Sequence, residues 1–446
     1  MPDLINLSAT QLIDLQKNNK VSAQEIAESF INRYEKVEKK VQAWEFFDKE
    51  LFLQKSIEAD DYRKSGKDLG ALHGLPIGIK DIFGTDDMPT RCGTDIRKGL
   101  QTTKESEVAS LLTNAGSIIM GKTVTTEFAY FDPGKTKNPH DYERTPGGSS
   151  SGSAAAVAAG MVPVAIGSQT NGSVIRPASY CGVYGYKPTF GLISRRGVLK
   201  QSYLLDHVGI ISKCIDDLAL ISKEIIKKDI DDISTVHFPV TNILNIYKEE
   251  PPFEPKFIFY KTSKWKNMDK DAIKSFEQFI KKMGKYIEVY DTPSYFDKIF
   301  EYHQIIHETD MSYAFKDYYQ KSKSKLGKKL IEAIERGMKY KSRDYVEACE
   351  NRDYFYKTFS EVFHDYHAIL TPSTTGVAPK GLNYTGSPEF CTIWTYLGMP
   401  SISLPLLTGS NNLPLGVQIV GEKFDDPRLM RTANWLVKKY FGGEKK

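Results

Sequence analysis

Residues 74–83, GLPIGIKDIF, form an apolar run closed at one end by glycine and proline, and the run carries a single cation, Lys80. An apolar run of this length between turn residues suits a strand buried on both faces. Such a strand needs a layer above it and a layer below. The segments that follow supply them: SEVASLLTNAG reads as a helix, SIIMGK as a strand, SAAAVAA as a small-residue helix and VPVAIGS as a further strand. Alternation of this kind predicts an α/β fold, a mixed central β-sheet covered by helices.

The rest of the chain fits one large domain over residues 1–446. Residues 1–70 are expected to be N-terminal helices, because Ser22 and Glu25 form a capping box and Ile26, Phe30, Ile31 and Tyr34 recur at helical spacing. Residues 71–228 carry most of these strands and the glycine- and serine-rich motifs, and are expected to form the core that bears the site. From 229 to 365 the composition shifts toward charge and aromatics; KFIFYK and KYIEVY read as strands among long helices, a variable, mostly helical peripheral layer. Residues 366–446 return to the core, with AILTP, MPSISLPLL and PLGVQIVG as strands and DDPRLMRTANWLVKKY as a final helix. The two ends resemble each other more than either resembles the middle, which favours an insertion into one core over a string of domains.

Composition excludes several classes of function. Sixty basic residues against 56 acidic leave a net charge of +4 in 446 residues, so no global field points to nucleic acid or to an anionic membrane. The five cysteines, Cys92, Cys181, Cys214, Cys349 and Cys391, are widely spaced and form no CxxC pair, which suits a reducing compartment. MPDLINLSATQLIDLQ lacks the basic and apolar regions of a secretory signal, and the longest apolar stretch, AAAVAAGMVPVAIG, is too short and glycine-broken to span a bilayer. A cytoplasmic location is expected.

Residues 145–160, TPGGSSSGSAAAVAAG, admit four readings. A flexible linker would stay polar on both sides, and this run passes at once into alanine. A phosphate loop needs lysine and then Ser or Thr where Ser153 and Ala154 stand. Ser150 sits at the centre of a G-x-S-x-G, yet a nucleophile elbow must follow a buried strand, and NPHDYERTP is polar and proline-broken. The fourth reading makes the loop half of a site, with hydroxyls placed at a helix start to relay a proton. It requires a nucleophile and a base elsewhere. Ser173, in GSQTNGSVIRPA, follows a strand and a tight turn, Gln169 to Gly172, whose N–H groups can converge on one oxygen. Lys80, buried in its strand, would lose its charge and serve as a base.

Together these segments resemble the amidase signature family of hydrolases, over most of the chain. The glycine–serine motif is PGGSSSGSAAAVAAG, the nucleophile motif GSQTNGSVIRPASYCGVYGYKPTFG, the lysine strand GLPIGIKD, and the C-terminal pattern AILTPSTTG with GMPSISLPL and LPLGVQIVG. The resemblance implies that Lys80 is the general base, Ser149 the bridging serine on a cis peptide and Ser173 the nucleophile. The N–H groups of Thr170, Asn171, Gly172 and Ser173 would line the oxyanion hole. It also implies hydrolysis of an amide to a carboxylate plus ammonia or amine through an acyl-enzyme, without cofactor or metal, on a small-molecule substrate, and it is compatible with a homodimer. Two alternatives stay open: the glutaminase (A) subunit of a tRNA-dependent amidotransferase, which passes ammonia to a partner, and a catalytically silent binding protein. Three departures set the chain apart. Ser151-Gly152 replaces a glycine pair, Gln169 and Asn171 stand where aspartate and glycine are common, and Arg176 falls one place later than usual.

Other candidates read as structural. His303 and His307 share a helix face, but Gln304 occupies the place where H-E-x-x-H requires glutamate, so the pair is expected near the substrate pocket and not on zinc. Ser322 and Lys325 match S-x-x-K on a basic, solvated helix. Tyr302, Phe315, Tyr318 and Tyr319 are expected in the core, with some of these rings at an acyl pocket, and Cys181 is expected to be a packed thiol.

Overall fold

Eleven strands make one sheet in the computed structural model, which describes residues 3–99, 104–237 and 243–442. In chain order they are β1 (Trp44–Phe47), β2 (Pro76–Lys80), β3 (Ile118–Thr123), β4 (Val164–Gln169), β5 (Tyr184–Lys187), β6 (His207–Ser212), β7 (Phe257–Lys261), β8 (Ile287–Asp291), β9 (Ala368–Pro372), β10 (Ser401–Thr408) and β11 (Pro414–Val420). Across the sheet the order is β1-β3-β2-β4-β6-β5-β10-β11-β9-β7-β8. The sheet is mixed: β3, β2 and β4 run parallel, as do β9, β7 and β8, while the strands between them pair antiparallel.

The apolar run around Lys80 becomes β2, flanked by β3 and β4 with Ile77 opposite both Ile119 and Val164. All five of its residues are buried. Parallel neighbours bring their carboxyl ends to the same sheet edge, where crevices form. Lys80 at the end of β2 and Ser168 and Gln169 at the end of β4 therefore meet there.

The Ser151–Ala158 helix explains its own composition. It is buried along nearly its whole length and packs on β2, β3 and β4, so no face has room for a large side chain. At Gly152 a Cβ would lie 2.2 Å from the Ala43 carbonyl oxygen and 2.3 Å from the Val124 nitrogen. Ser151 needs no such allowance: it opens the helix, and its Oγ donates to the Val124 carbonyl at 3.3 Å.

The predicted helices at Ala23–Val41, Glu107–Asn114 and Asp426–Tyr440 are present, the first with its Ser22–Glu25 capping box. Within residues 229–365, β7 and β8 extend the common sheet, and the Lys298–Ala314 and Ser342–Ser360 helices pack Ile299, Tyr302, Phe355 and Phe359 against Trp394 and Tyr396. The segments of β1, β5 and β6 are not among the strands expected from sequence. β5 is YGYK, too short and too glycine-broken to announce itself; its ladders with β6 and β10 make it a strand. Among the described residues, no helix is long and apolar enough to cross a membrane.

Gly152→Ala forces a methyl group into backbone atoms on both sides. We expect a loss of about 1–3 kcal/mol in urea unfolding, the range of overpacked cores; an unchanged midpoint would show that the helix can move away.

Candidate active site

Lys80 is fully buried, and its Nζ lies 2.7 Å from Ser149 Oγ and 2.8 Å from Ser168 Oγ. Burial drives its pKa well below that of a free lysine; the Asp206 carboxylate opposes this from a distance, without a hydrogen bond to the amine. A neutral amine has two N–H bonds and one lone pair. It can donate to Ser168 and take a proton from Ser149.

Gly148–Ser149 is a cis peptide bond. Ser150 has other work: its Oγ donates to the Ser168 carbonyl and accepts from the Ser168 N–H, both at 3.2 Å. These bonds tie the glycine–serine loop to the end of β4. The Ser150 N–H also donates to the Ser173 carbonyl at 3.3 Å, which lays the loop beside Ser173.

The turn from Gln169 to Ser173 is clamped by its carbonyls. His303 Nε2 donates to the Thr170 carbonyl at 2.9 Å, Thr395 Oγ1 to the Asn171 carbonyl at 2.5 Å, and the Arg176 N–H to the Gly172 carbonyl at 2.9 Å. Gln169 Oε1 accepts from Val174 N–H at 2.8 Å and Ile175 N–H at 3.0 Å, while its Nε2 donates to Thr395 Oγ1 at 3.0 Å. Thr170 Oγ1 donates to Asp206 at 2.6 Å. With the carbonyls held outward, the N–H groups of Asn171, Gly172 and Ser173 meet no acceptor among the described residues. Preorganised donors of this kind can stabilise an oxyanion. Gln169 therefore fills the place of a carboxylate while its amide braces the turn from a second side.

A small cavity, with room for about one water molecule, lies beside Ser173, bounded by Tyr130, Phe131, Asn171, Arg176, His307 and Pro388 among others. His307 Nε2 lies 3.1 Å from Gln201 Oε1, so that nitrogen carries the proton. Burial lowers the pKa of both histidines, that of His303 to about 4, and keeps them neutral. The pair thus stands at the site, one residue bracing the turn and the other lining the cavity, and no cluster of metal-binding side chains occurs among the described residues.

Tyr302, Phe315, Tyr318 and Tyr319 do not line this cavity. Phe315 and Tyr318 pack on Phe128, and Tyr302 stacks with Tyr396. The rings at the cavity are Tyr130 and Phe131, from a loop whose sequence carries no periodic signal. Cys181 is buried with its thiol directed at the Pro146 carbonyl, and Lys325 is exposed, both as expected. Ser168, Asp206 and Thr395 were not singled out from sequence. Ser168 could have been, since it ends the strand beside Lys80; Thr395 had no signal.

The family model described as Amidase matches residues 25–430. The A subunit of glutamyl-tRNA(Gln) amidotransferase from Natranaerobius thermophilus is 31% identical, over 93% of this chain and 91% of that protein. Its namesake from Fusobacterium nucleatum is 33% identical, over 98% and 97%. Among solved structures, the peptide amidase of Stenotrophomonas maltophilia shares the fold with a TM-score of 0.86 at 22% identity, covering 98% and 97% of the two chains. An inhibitor-bound complex described as revealing the origins of an s-triazine catabolic enzyme gives 0.88 at 24%, covering 97% and 98%.

With lysines labelled by ¹⁵N, Lys80 Nζ should titrate well below a free lysine, in a signal absent from Lys80→Met. A resonance that stays in the ammonium range up to pH 10 would contradict this reading of its burial.

Proposed function

The chain belongs to the amidase family and is an amide hydrolase, and we propose that Ser173, Ser149 and Lys80 carry out its reaction. Neutral Lys80 takes the Ser149 proton as Ser149 takes that of Ser173, and the Ser173 oxygen attacks the amide carbonyl. The N–H groups from Thr170 to Ser173 receive the oxyanion. Collapse breaks the C–N bond, and the relay returns a proton to the leaving ammonia or amine. Water then enters, gives a proton to the relay, and releases the carboxylate from Ser173. The observation that carries this reading is the buried amine of Lys80, which faces two hydroxyls and no hydrogen-bonded acid. The proposed setting is cytoplasmic, with a small-molecule amide as substrate and a homodimer as the assembly.

A second reading follows from the names of the curated relatives: a glutaminase that delivers its ammonia to a partner enzyme. Length does not separate the two readings, because the chain covers 91% and 97% of those two relatives. Strict dependence on glutamine and a co-purifying partner would favour the second. The third reading, a silent binding protein, is disfavoured by the presence of all three reactive side chains.

Two outcomes test the mechanism. Ser173→Ala and Lys80→Ala should each lower kcat by roughly 10⁴-fold or more, and a serine-directed fluorophosphonate should label wild type but not Ser173→Ala. Equal amine release by wild type and folded variant on glutamine, aliphatic, aryl and urea-type amides would end the hydrolase assignment to this site. The pH profile of kcat/KM should rise with pH through one deprotonation well below 10.5, because protonated Lys80 cannot accept a proton and its neutral form is favoured by burial. A profile that falls over that range would place a different group in the role of base.

A further inference from the structure

His303 and His307 share one face of the Lys298–Ala314 helix, with ring centroids 5.6 Å apart, and neither takes a proton in the proposed reaction. His303 is committed to the Thr170 carbonyl. His307 is 6% exposed and borders the cavity beside Ser173. A chain of contacts fixes which of its nitrogens holds the proton. The Phe128 carbonyl can only accept, so it takes the Gln201 side-chain N–H at 2.6 Å and leaves Gln201 Oε1 facing His307. That oxygen also can only accept, so His307 Nε2, 3.1 Å away, carries the hydrogen. Burial keeps the ring neutral, and the neighbouring His303 adds to the effect. Nδ1 is therefore a bare lone pair. It meets no protein donor among the described residues, and it is not sealed from solvent.

The size of the cavity decides which substrate atom this lone pair faces. There is room for about one water molecule, so a ring on the wall reaches the group bonded to the attacked carbon and not a distant part of the substrate. A carboxamide brings an oxygen and a nitrogen there. The oxygen goes to the N–H groups of the turn, and the nitrogen keeps hydrogens that need an acceptor. Apart from the nucleophile, the other side-chain acceptors on the wall are engaged. Gln201 Oε1 is held by His307, Asn171 Oδ1 by Thr392 at 2.8 Å, Thr170 Oγ1 by its bond to Asp206 at 2.6 Å, and the Tyr130 hydroxyl by Arg336. No Asp or Glu lines the cavity. His307 Nδ1 remains.

Resting on the hydrolase reading above, we infer that His307 determines which acyl bond the protein cleaves: Nδ1 accepts the N–H of the scissile amide and selects carboxamides over esters of the same acid. An ester places an oxygen lone pair where the amide has its hydrogen. Two acceptors then face each other in a buried site, and His307 cannot move its hydrogen to Nδ1 without leaving Gln201 Oε1 unpaired. A site built to hydrogen-bond a substrate N–H rejects the analogue that lacks it for this reason. The same bond orients the leaving nitrogen while the relay protonates it.

The test holds the acyl group fixed and changes only the leaving group. Propionamide, butyramide and benzamide are each compared with the methyl ester of the same acid by kcat/KM, which reports acylation; the acyl-enzyme that follows is common to both. In His307→Phe the amide-to-ester ratio should fall by roughly 10- to 100-fold, the range for a partner lost in a buried site. His307→Asn, whose side-chain oxygen can stand near the Nδ1 position, should keep part of the ratio. A change that merely loosens the site lowers both substrates alike. An unchanged ratio in His307→Phe therefore overturns the inference, as does a wild type that cleaves the esters and none of the amides.

The tautomer is read without turnover, by ¹⁵N NMR of wild type with labelled histidines, the His307 signals being those missing from His307→Asn. Nε2 should be protonated and Nδ1 bare, and an Nδ1–H tautomer overturns the inference. Should His307→Phe not fold, the asparagine variant and the tautomer decide. Fluorophosphonate keeps the two readings apart. Failure to label Ser173 in wild type ends the hydrolase reading and this one with it, whereas labelling with an unchanged amide-to-ester ratio ends only the assignment to His307.

Discussion

The structure depends most on taking one lysine amine out of water. Lys80 ends a strand buried on both faces, and desolvation, not a neighbouring charge, is the main cause that lowers the pKa of its amine. That shift is sustained only while every group around the amine is a hydroxyl or a distant charge. Ser149 and Ser168 satisfy its hydrogen bonds without supplying an anion, and a carboxylate in contact would restore the ammonium form. The parallel register of β2 and β4 brings these partners together, so the sheet topology and the proposed chemistry are one constraint.

A second layer of bonds holds the turn at Ser173. Its carbonyls are engaged by His303, Thr395 and the Arg176 backbone, and its preceding side chain, Gln169, is shared between two backbone N–H groups and Thr395. The braces come from the Lys298–Ala314 helix and the Glu389–Leu397 helix, far from the turn and from each other in sequence. The peripheral layer therefore does more than cover the sheet. Its His303 faces the turn, its His307 faces the cavity, and both are neutral because they are buried.

Much of this was legible in the amino-acid order because local chemistry wrote it there. An apolar run closed by glycine and proline became β2, the Ser22–Glu25 pattern became a capping box, and the small residues after Ser150 became a helix with no room around it. Legibility ended where identity comes from partners. β5 is a strand by virtue of its two neighbours, and Ser150, at the centre of a tempting motif, is committed to the backbone of Ser168 while Ser149 faces Lys80. Aromatic content misled in the same way: Phe315 and Tyr318 found Phe128, and the cavity took its rings from Tyr130 and Phe131.

The sequence by itself determined which candidate groups exist, their order, the buried strand that carries Lys80 and the small-residue helix that follows Ser149, because strand burial and helix packing are encoded in short-range apolar pattern and side-chain size. Only the tertiary structure decided which serine meets the amine, that Thr395 braces a carbonyl 224 positions away, and that Arg176, alone of the buried arginines among the described residues, has no acid. Desolvation and ion pairing are properties of an assembled neighbourhood. Residues far apart along the chain create that neighbourhood, and no local pattern specifies it.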